Sequence, residues 1–223
     1  KLEANSSGKR ARRKDLAILT LFSMTTLLVI GSLPYAFADH THTSNKPSGV
    51  PDLSLTILHT NDLHSHAEPF SERGRNIGGF ARIAHVIRGI RKEKPETLVI
   101  DAGDIFQGTP LFTRYRGEVE VELLNKLGYD LYTIGNHEFD EGGINLAEKL
   151  SKAKFSILSS NLDCSELPAL AKVIKPYEIR EIKGQKVAFI GAITPEIDSL
   201  SMRRDGAKLK RAETDSKDRE EYW

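Results

Sequence analysis

Residues 53–66 read "LSLTILHTNDLHSH". A short apolar run ends in Asp62, His64 and His66, with Asn61 and Ser65 between them. Such a run, bounded by turn-forming residues, predicts a buried β-strand. The cluster of ligand-type side chains after it has two readings. It is a metal site at the end of a strand, or it is an ordinary polar loop. The segments that follow decide between them.

"GGFARIAHVIRGIRKE" (78–93) predicts a helix, because Phe80, Ile83, Ile87 and Ile90 fall on one face, with Arg82, Arg88 and Arg91 elsewhere. "ETLVIDAGD" (96–104) predicts a second strand running into a glycine-containing loop. "GEVEVELLNKLG" (117–128) predicts a second helix, stopped at Gly128. "YDLYTIGNHEFD" (129–140) predicts a third strand and its loop, "INLAEKLSKA" (144–153) a third helix, and "FSILSSNLD" (155–163) a fourth strand. "YEIREIKGQKVAFIGAIT" (177–194) predicts a hairpin turning at Lys183-Gly184-Gln185. This alternation predicts an α/β fold with parallel strands, whose C-terminal loops carry the site.

Three successive strands end in the same kind of residue: "NDLHSH", "DAGD" and "GNHEFD". In a parallel sheet those loops lie side by side, so Asp62, His64, Asp104, Asn136, His137 and Asp140 are expected to converge. A bland polar loop explains any one cluster, but not three at equivalent positions. Carboxylate, imidazole and amide oxygen together suit Zn, Mn, Fe or Co better than calcium. A carboxylate from the middle strand could bridge two ions about 3.5–4 Å apart, a pair that activates water and clamps phosphoryl oxygens. Asp140, three residues after His137, is placed to hydrogen-bond the imidazole. Gly103 and Gly108 are expected to let backbone approach metal or phosphate.

Bulk properties exclude some alternatives. The 223 residues are 39% hydrophobic and 28% charged, with a formal net charge of +1. That balance is globular and shows no polyanion-binding footprint, so no nucleic-acid polymer is expected as a partner. Cys164 is the single cysteine, which rules out an internal disulfide or a thiolate metal cluster.

"ILHTNDLHSH", "DAGDIFQGTP" and "GNHEFD" resemble the calcineurin-like metallophosphoesterases, and more narrowly their bacterial secreted 5'-nucleotidase branch. "GGFARIAHVIRGIR" is similar to that branch as well. The resemblance runs from about Leu53 to about Glu196. It implies a four-layer α/β/β/α sandwich, of which this chain would hold an incomplete part. It implies two divalent ions (Zn, Mn, Co or Fe), with Asp62 and His64 on the first, Asp104 bridging and Asn136 on the second. His137 would be the catalytic imidazole and Asp140 its partner. The implied reaction is hydrolysis of a nucleotide phosphate ester by water activated between two metals. Cyclic-nucleotide phosphodiesterase, UDP-sugar hydrolase and sulfate-releasing thiohydrolase activities share these motifs. A non-catalytic exported metal-binding or interaction product is the reading from another class.

The remaining histidines and polar residues divide as follows. His59 is expected to pack inside its strand and His85 to be a structural helix residue. His66 is either substrate-facing or a loop residue. Asp101 either supports the site from behind or caps the loop, and Asn161 is a candidate to line the site.

Residues 1–38 read as a leader: basic "KRARRKD", an uncharged apolar run over 16–38 and an Ala36-Phe37-Ala38 ending. Cleavage after Ala38 and export to the periplasm, envelope or exterior are expected by the general secretory route, although Arg12-Arg13 leaves a twin-arginine route open. If uncleaved, the apolar run, read as helical up to Pro34, is long enough to anchor the chain in a membrane. Residues 39–52 read as a polar linker in which His40 and His42 are solvated. Residues 53–200 are the N-terminal part of the phosphoesterase domain, and 201–223 a charged, irregular tail. The chain begins at Lys1, and no histidine follows His137 although the family supplies further histidine ligands from later loops. The chain is therefore expected to be an N-terminal fragment, weakly active or inactive alone. The oligomeric state is not legible.

Overall fold

In a computed structural model, residues 16–22, 27–30, 53–201 and 210–211 are described, the first two stretches and the last as backbone only. The predicted basic leader start, the Ala36–Ala38 ending, the linker with His40 and His42, and most of the charged tail lie outside the described residues.

In chain order the elements are β1 (Leu16–Phe22), β2 (Leu27–Ile30), β3 (Ile57–Thr60), β4 (Phe70–Glu72), β5 (Arg75–Ile77), α1 (Phe80–Glu93), β6 (Leu98–Asp101), α2 (Pro110–Tyr115), α3 (Glu118–Leu127) and β7 (Leu131–Thr133). A 3-10 turn over His137–Phe139 follows. Then come α4 (Gly142–Leu150), β8 (Ser156–Leu158), β9 (Leu162–Asp163), α5 (Pro168–Ala171), β10 (Ile174–Lys175), β11 (Tyr177–Ile182), β12 (Gln185–Ala192), α6 (Ile197–Leu200) and β13 (Lys210–Arg211).

The main sheet has the order β10-β8-β7-β6-β3, and every neighbouring pair is parallel. Sequence order equals spatial order, so each crossover steps the same way. Right-handed crossovers then put α1, α3 and α4 on one face. Side chains alternate accordingly. Val99, Tyr132 and Ile157 join Ile87, Leu124 and Leu146 in the helix-side core. Leu98, Ile100, Leu131 and Leu158 point the other way, onto Val187 and Phe189 of β12. The central strands β6 and β7 are buried on both faces, which is why they read as unbroken apolar runs.

The second face is thus covered by another sheet, not by helices as a doubly wound fold would require. Helices, sheet and sheet form three of the layers that the α/β/β/α expectation names. The two sheets touch at Gly191, where a Cβ would collide with Leu158 O and Thr133 Oγ1. The hairpin of β11 and β12 forms as expected, with Lys183 and Gly184 at positive φ in the turn.

The second sheet has the order β11-β12-β1-β2. Leu16–Phe22 runs parallel to β12, with Leu16 opposite Lys186 and Phe22 opposite Ala192. The apolar run read as a helix is therefore extended over these residues. Strand pairing satisfies backbone groups along the β12 edge, and Thr20, Val29 and Ile30 are β-branched. Among the described residues no helix is long and apolar enough to cross a membrane.

Candidate metal centre

The loops after β3 and β6 run side by side past the ends of their strands. Ala102 N–H donates to Thr60 O (2.8 Å), Asp62 N–H to Gly103 O (2.9 Å), His64 N–H to Asp104 O (3.0 Å) and Ser65 N–H to Ile105 O (2.8 Å). Asp62, His64, Ser65, Asp104 and Gln107 all have positive φ although none is glycine. Such conformations cost about 1–3 kcal/mol each and persist only where the surroundings enforce them. Here the cross-loop ladder does so.

His64 Nδ1 lies 3.3 Å from Phe106 O. The tautomer that donates there leaves Nε2 as the free lone pair, 3.7 Å from Asp62 Oδ1. The His64 and His137 rings meet edge to face at 5.0 Å. The Asp104 carboxylate is buried and accepts the His137 N–H through Oδ1 at 2.9 Å. Burial raises the Asp104 pKa, and the His137 N–H and nearby imidazoles only partly counter it. His137 Nδ1 lies 2.8 Å from Asp140 Oδ2. Burial lowers the His137 pKa, but the Asp140 hydrogen bond and the charges of Asp140, Asp104 and Glu138 more than offset this, so it rises above the ordinary value. Asn136 is buried immediately before His137.

All six sequence-predicted residues thus lie on the three adjacent loops. Among the described residues, no three His, Cys, Asp or Glu side chains are grouped tightly enough to enclose an ion. The donor set of Asp62, His64, Asp104 and Asn136 nevertheless fits a borderline divalent ion by its chemistry.

Gly103 and Gly108 stand where loops of the chain pass close together. A Cβ on Gly103 would stand 2.6 Å from Gly135 N, and one on Gly108 2.6 Å from His64 O. Both permit close approach of the protein's own loops. The Asn161 amide is held by Ile193, donating to its carbonyl oxygen (2.7 Å) and accepting its N–H (2.9 Å). His59 is exposed on the edge strand β3, and His85 is exposed on α1. Neither is packed as a core residue. His66 lies over Phe70 at 4.4 Å, with Nδ1 3.3 Å from Leu63 O, which makes it a braced loop residue. Asp101 is fully buried and caps the loop by accepting Gly103 N–H (2.8 Å) and the Thr60 hydroxyl.

Two buried acids escaped sequence reasoning. Glu138 accepts four backbone N–H groups: Asp104 (3.0 Å) and Gly135 (2.6 Å) on Oε2, Ile105 (2.9 Å) and Phe106 (3.2 Å) on Oε1. Burial and the Asp104 charge push its pKa up to about 7 against those bonds. Glu120 is buried on α3 and accepts the Ser65 hydroxyl, which also accepts from Thr109 (3.0 Å). The usable signal for Glu120 was its place one helical turn before buried Leu124, on the apolar stripe.

Residues 55–217 match the family model described as calcineurin-like phosphoesterase. The rat 5'-nucleotidase is 39% identical over 157 residues, covering 66% of this chain and 27% of that protein. The 5'-nucleotidase precursor of Thermus thermophilus superposes with a TM-score of 0.66 at 35% identity, over 72% of this chain and 32% of that one. The NAD nucleotidase of Haemophilus influenzae gives 0.64 at 33% identity, over 72% and 30%. The chain therefore spans about a quarter to a third of the length of these relatives.

Proposed function

The chain belongs to the calcineurin-like phosphoesterase family, and from that premise we propose that its three-loop site serves metal-dependent hydrolysis of nucleotide phosphate esters. Asp62 and His64 would hold one divalent ion, Asp104 would bridge, and Asn136 would hold a second. The ions, when bound, would lower the pKa of a water and draw charge from the phosphoryl oxygens.

The observation that carries this reading is the linked set Asp104–His137–Asp140. The His137 N–H fixes the carboxylate offered to metal, and Asp140 fixes the imidazole at Nδ1. His137 is thereby directed to present Nε2 as a hydrogen-bond donor to a phosphoryl oxygen or leaving group. The Asp140 hydrogen bond and the surrounding carboxylates favour the protonated imidazole, the form that stabilises the negative charge of a phosphoryl-transfer transition state. The nucleotide part of the proposal is supported by the similarity to 5'-nucleotidases and to the NAD nucleotidase. Export also belongs to the proposal, supported by the leader-type sequence of residues 1–38; removal of that leader would take β1 and β2 out of the second sheet and leave the β11–β12 hairpin.

The test is phosphate release from AMP by the purified chain, with Zn, Mn or Co added and with chelator. Slow release that needs metal and disappears in Asp104→Asn is expected. Release that persists in chelator, or in Asp104→Asn, would refute the assignment.

A further inference from the structure

We propose that Glu138 is a positioning residue for metal binding: it clamps the Asp104 loop to the Asn136–His137 loop and thereby sets where the ligands stand. The proposal rests on the metal reading of the site. The Asp104, Ile105 and Phe106 N–H groups converge on one concavity, with Asp104 in the left-handed conformation. Successive backbone N–H groups arranged this way form an anion-binding nest. The protein fills this nest with its own carboxylate. The same carboxylate reaches Gly135 N–H on the neighbouring loop, one residue before Asn136.

A carboxylate has about four acceptor positions, and here each oxygen takes two N–H groups, so the capacity is used in full. No neutral side chain can replace it. A glutamine at this position would turn an amide N–H2 toward two N–H donors, whichever way it faced. Loss of the clamp frees the amide of Asp104, whose side chain is otherwise located by His137 N–H. Glu138 itself is fully buried, and its hydrogen bonds to the two ligand loops go to backbone N–H groups. Its effect is therefore on ligand placement, as with other groups that orient metal ligands from behind.

Cobalt binding to the whole chain tests this, read by calorimetry and by the visible absorption of bound Co(II). Glu138→Gln is compared with Glu138→Asp and with Leu150→Ala. Leu150 ends α4, which runs back along the sheet, so this control destabilises the core far from the loops. The expected result is affinity weakened by about 10–100-fold in Glu138→Gln, with an altered Co(II) spectrum. Partial recovery is expected in Glu138→Asp, which keeps the charge but is one methylene short. Leu150→Ala should melt earlier yet bind cobalt as the unsubstituted chain does. Unchanged affinity and spectrum in Glu138→Gln would overturn the proposal. If that variant does not fold, wild-type affinity and spectrum in Glu138→Asp would overturn it instead. An unsubstituted chain without saturable, Asp104-dependent cobalt binding would overturn the metal reading, and the clamp with it.

Discussion

His137 Nδ1 stands 2.8 Å from Asp140 Oδ2, three residues on in the same loop. The carboxylate raises the imidazole pKa and commits Nδ1, which leaves Nε2 for the role proposed above. Asp140→Asn keeps the shape and removes the charge. The imidazole pKa, followed by NMR, should fall. The rate of phosphate release should drop about 10²-fold or more with little change in KM, since proton transfer and charge stabilisation by such a group contribute roughly that much. A loss confined to KM would mean that the pair serves substrate binding.

Glu178 contributes to the acid limb of stability. Burial works against its charged form, but hydrogen bonds from Ser156, Lys175 and Arg180 with the Arg180 charge outweigh it, and the pKa is lowered to about 2. A carboxylate depressed in the folded state adds stability above its unfolded pKa and loses it as the pH falls through the folded value. The stabilisation is thus full above about pH 5 and is lost toward pH 2. Glu178→Gln should lower the melting temperature at pH 7, and the difference should shrink on titration to pH 2–3. A difference independent of pH would refute the assignment.

The contact between the two sheets has no spare room at Gly191. Its Cβ would collide with Leu158 O, a main-chain atom of β8. Overpacking of this kind costs about 1–3 kcal/mol. Gly191→Ala should therefore lower the denaturant midpoint measurably. A stabilised Gly191→Ala would show that the sheets sit farther apart.

Cys164 is buried, and burial with the nearby Asp163 charge pushes its thiol up to about 11. Thiol reagents should leave it unlabelled at pH 7 in the folded chain and label it fully in denaturant. Rapid labelling without denaturant would contradict the packing around β9.

Much of this was legible in the sequence because it is local. Gly128 terminates α3 in the left-handed conformation, as its position after an apolar-periodic run predicts. The three clusters of ligand-type residues sit at equivalent strand ends, as period and length alone indicate. Glu138 was not legible, since its four donors come from two loops and only the folded backbone brings them together. The Asn161–Ile193 pairing was not legible for the same reason, since the two residues are 32 apart in the chain. His59 was misread because a strand pattern does not reveal which strand lies at the sheet edge. The short helix α2 carried a readable signal that went unused, namely Thr109 as cap with Pro110 at the first position. Extended pairing of Leu16–Phe22 depends on the open edge of β12, a non-local feature that a local hydropathy pattern cannot supply.

The most direct test of the central claim is anomalous diffraction from crystals of the chain soaked in manganese or zinc. A peak within coordination distance of Asp62, His64, Asp104 or Asn136, absent from Asp104→Asn crystals, is the expected result. A loop cluster without any anomalous peak under saturating metal, or a peak bound elsewhere on the surface alone, would contradict it.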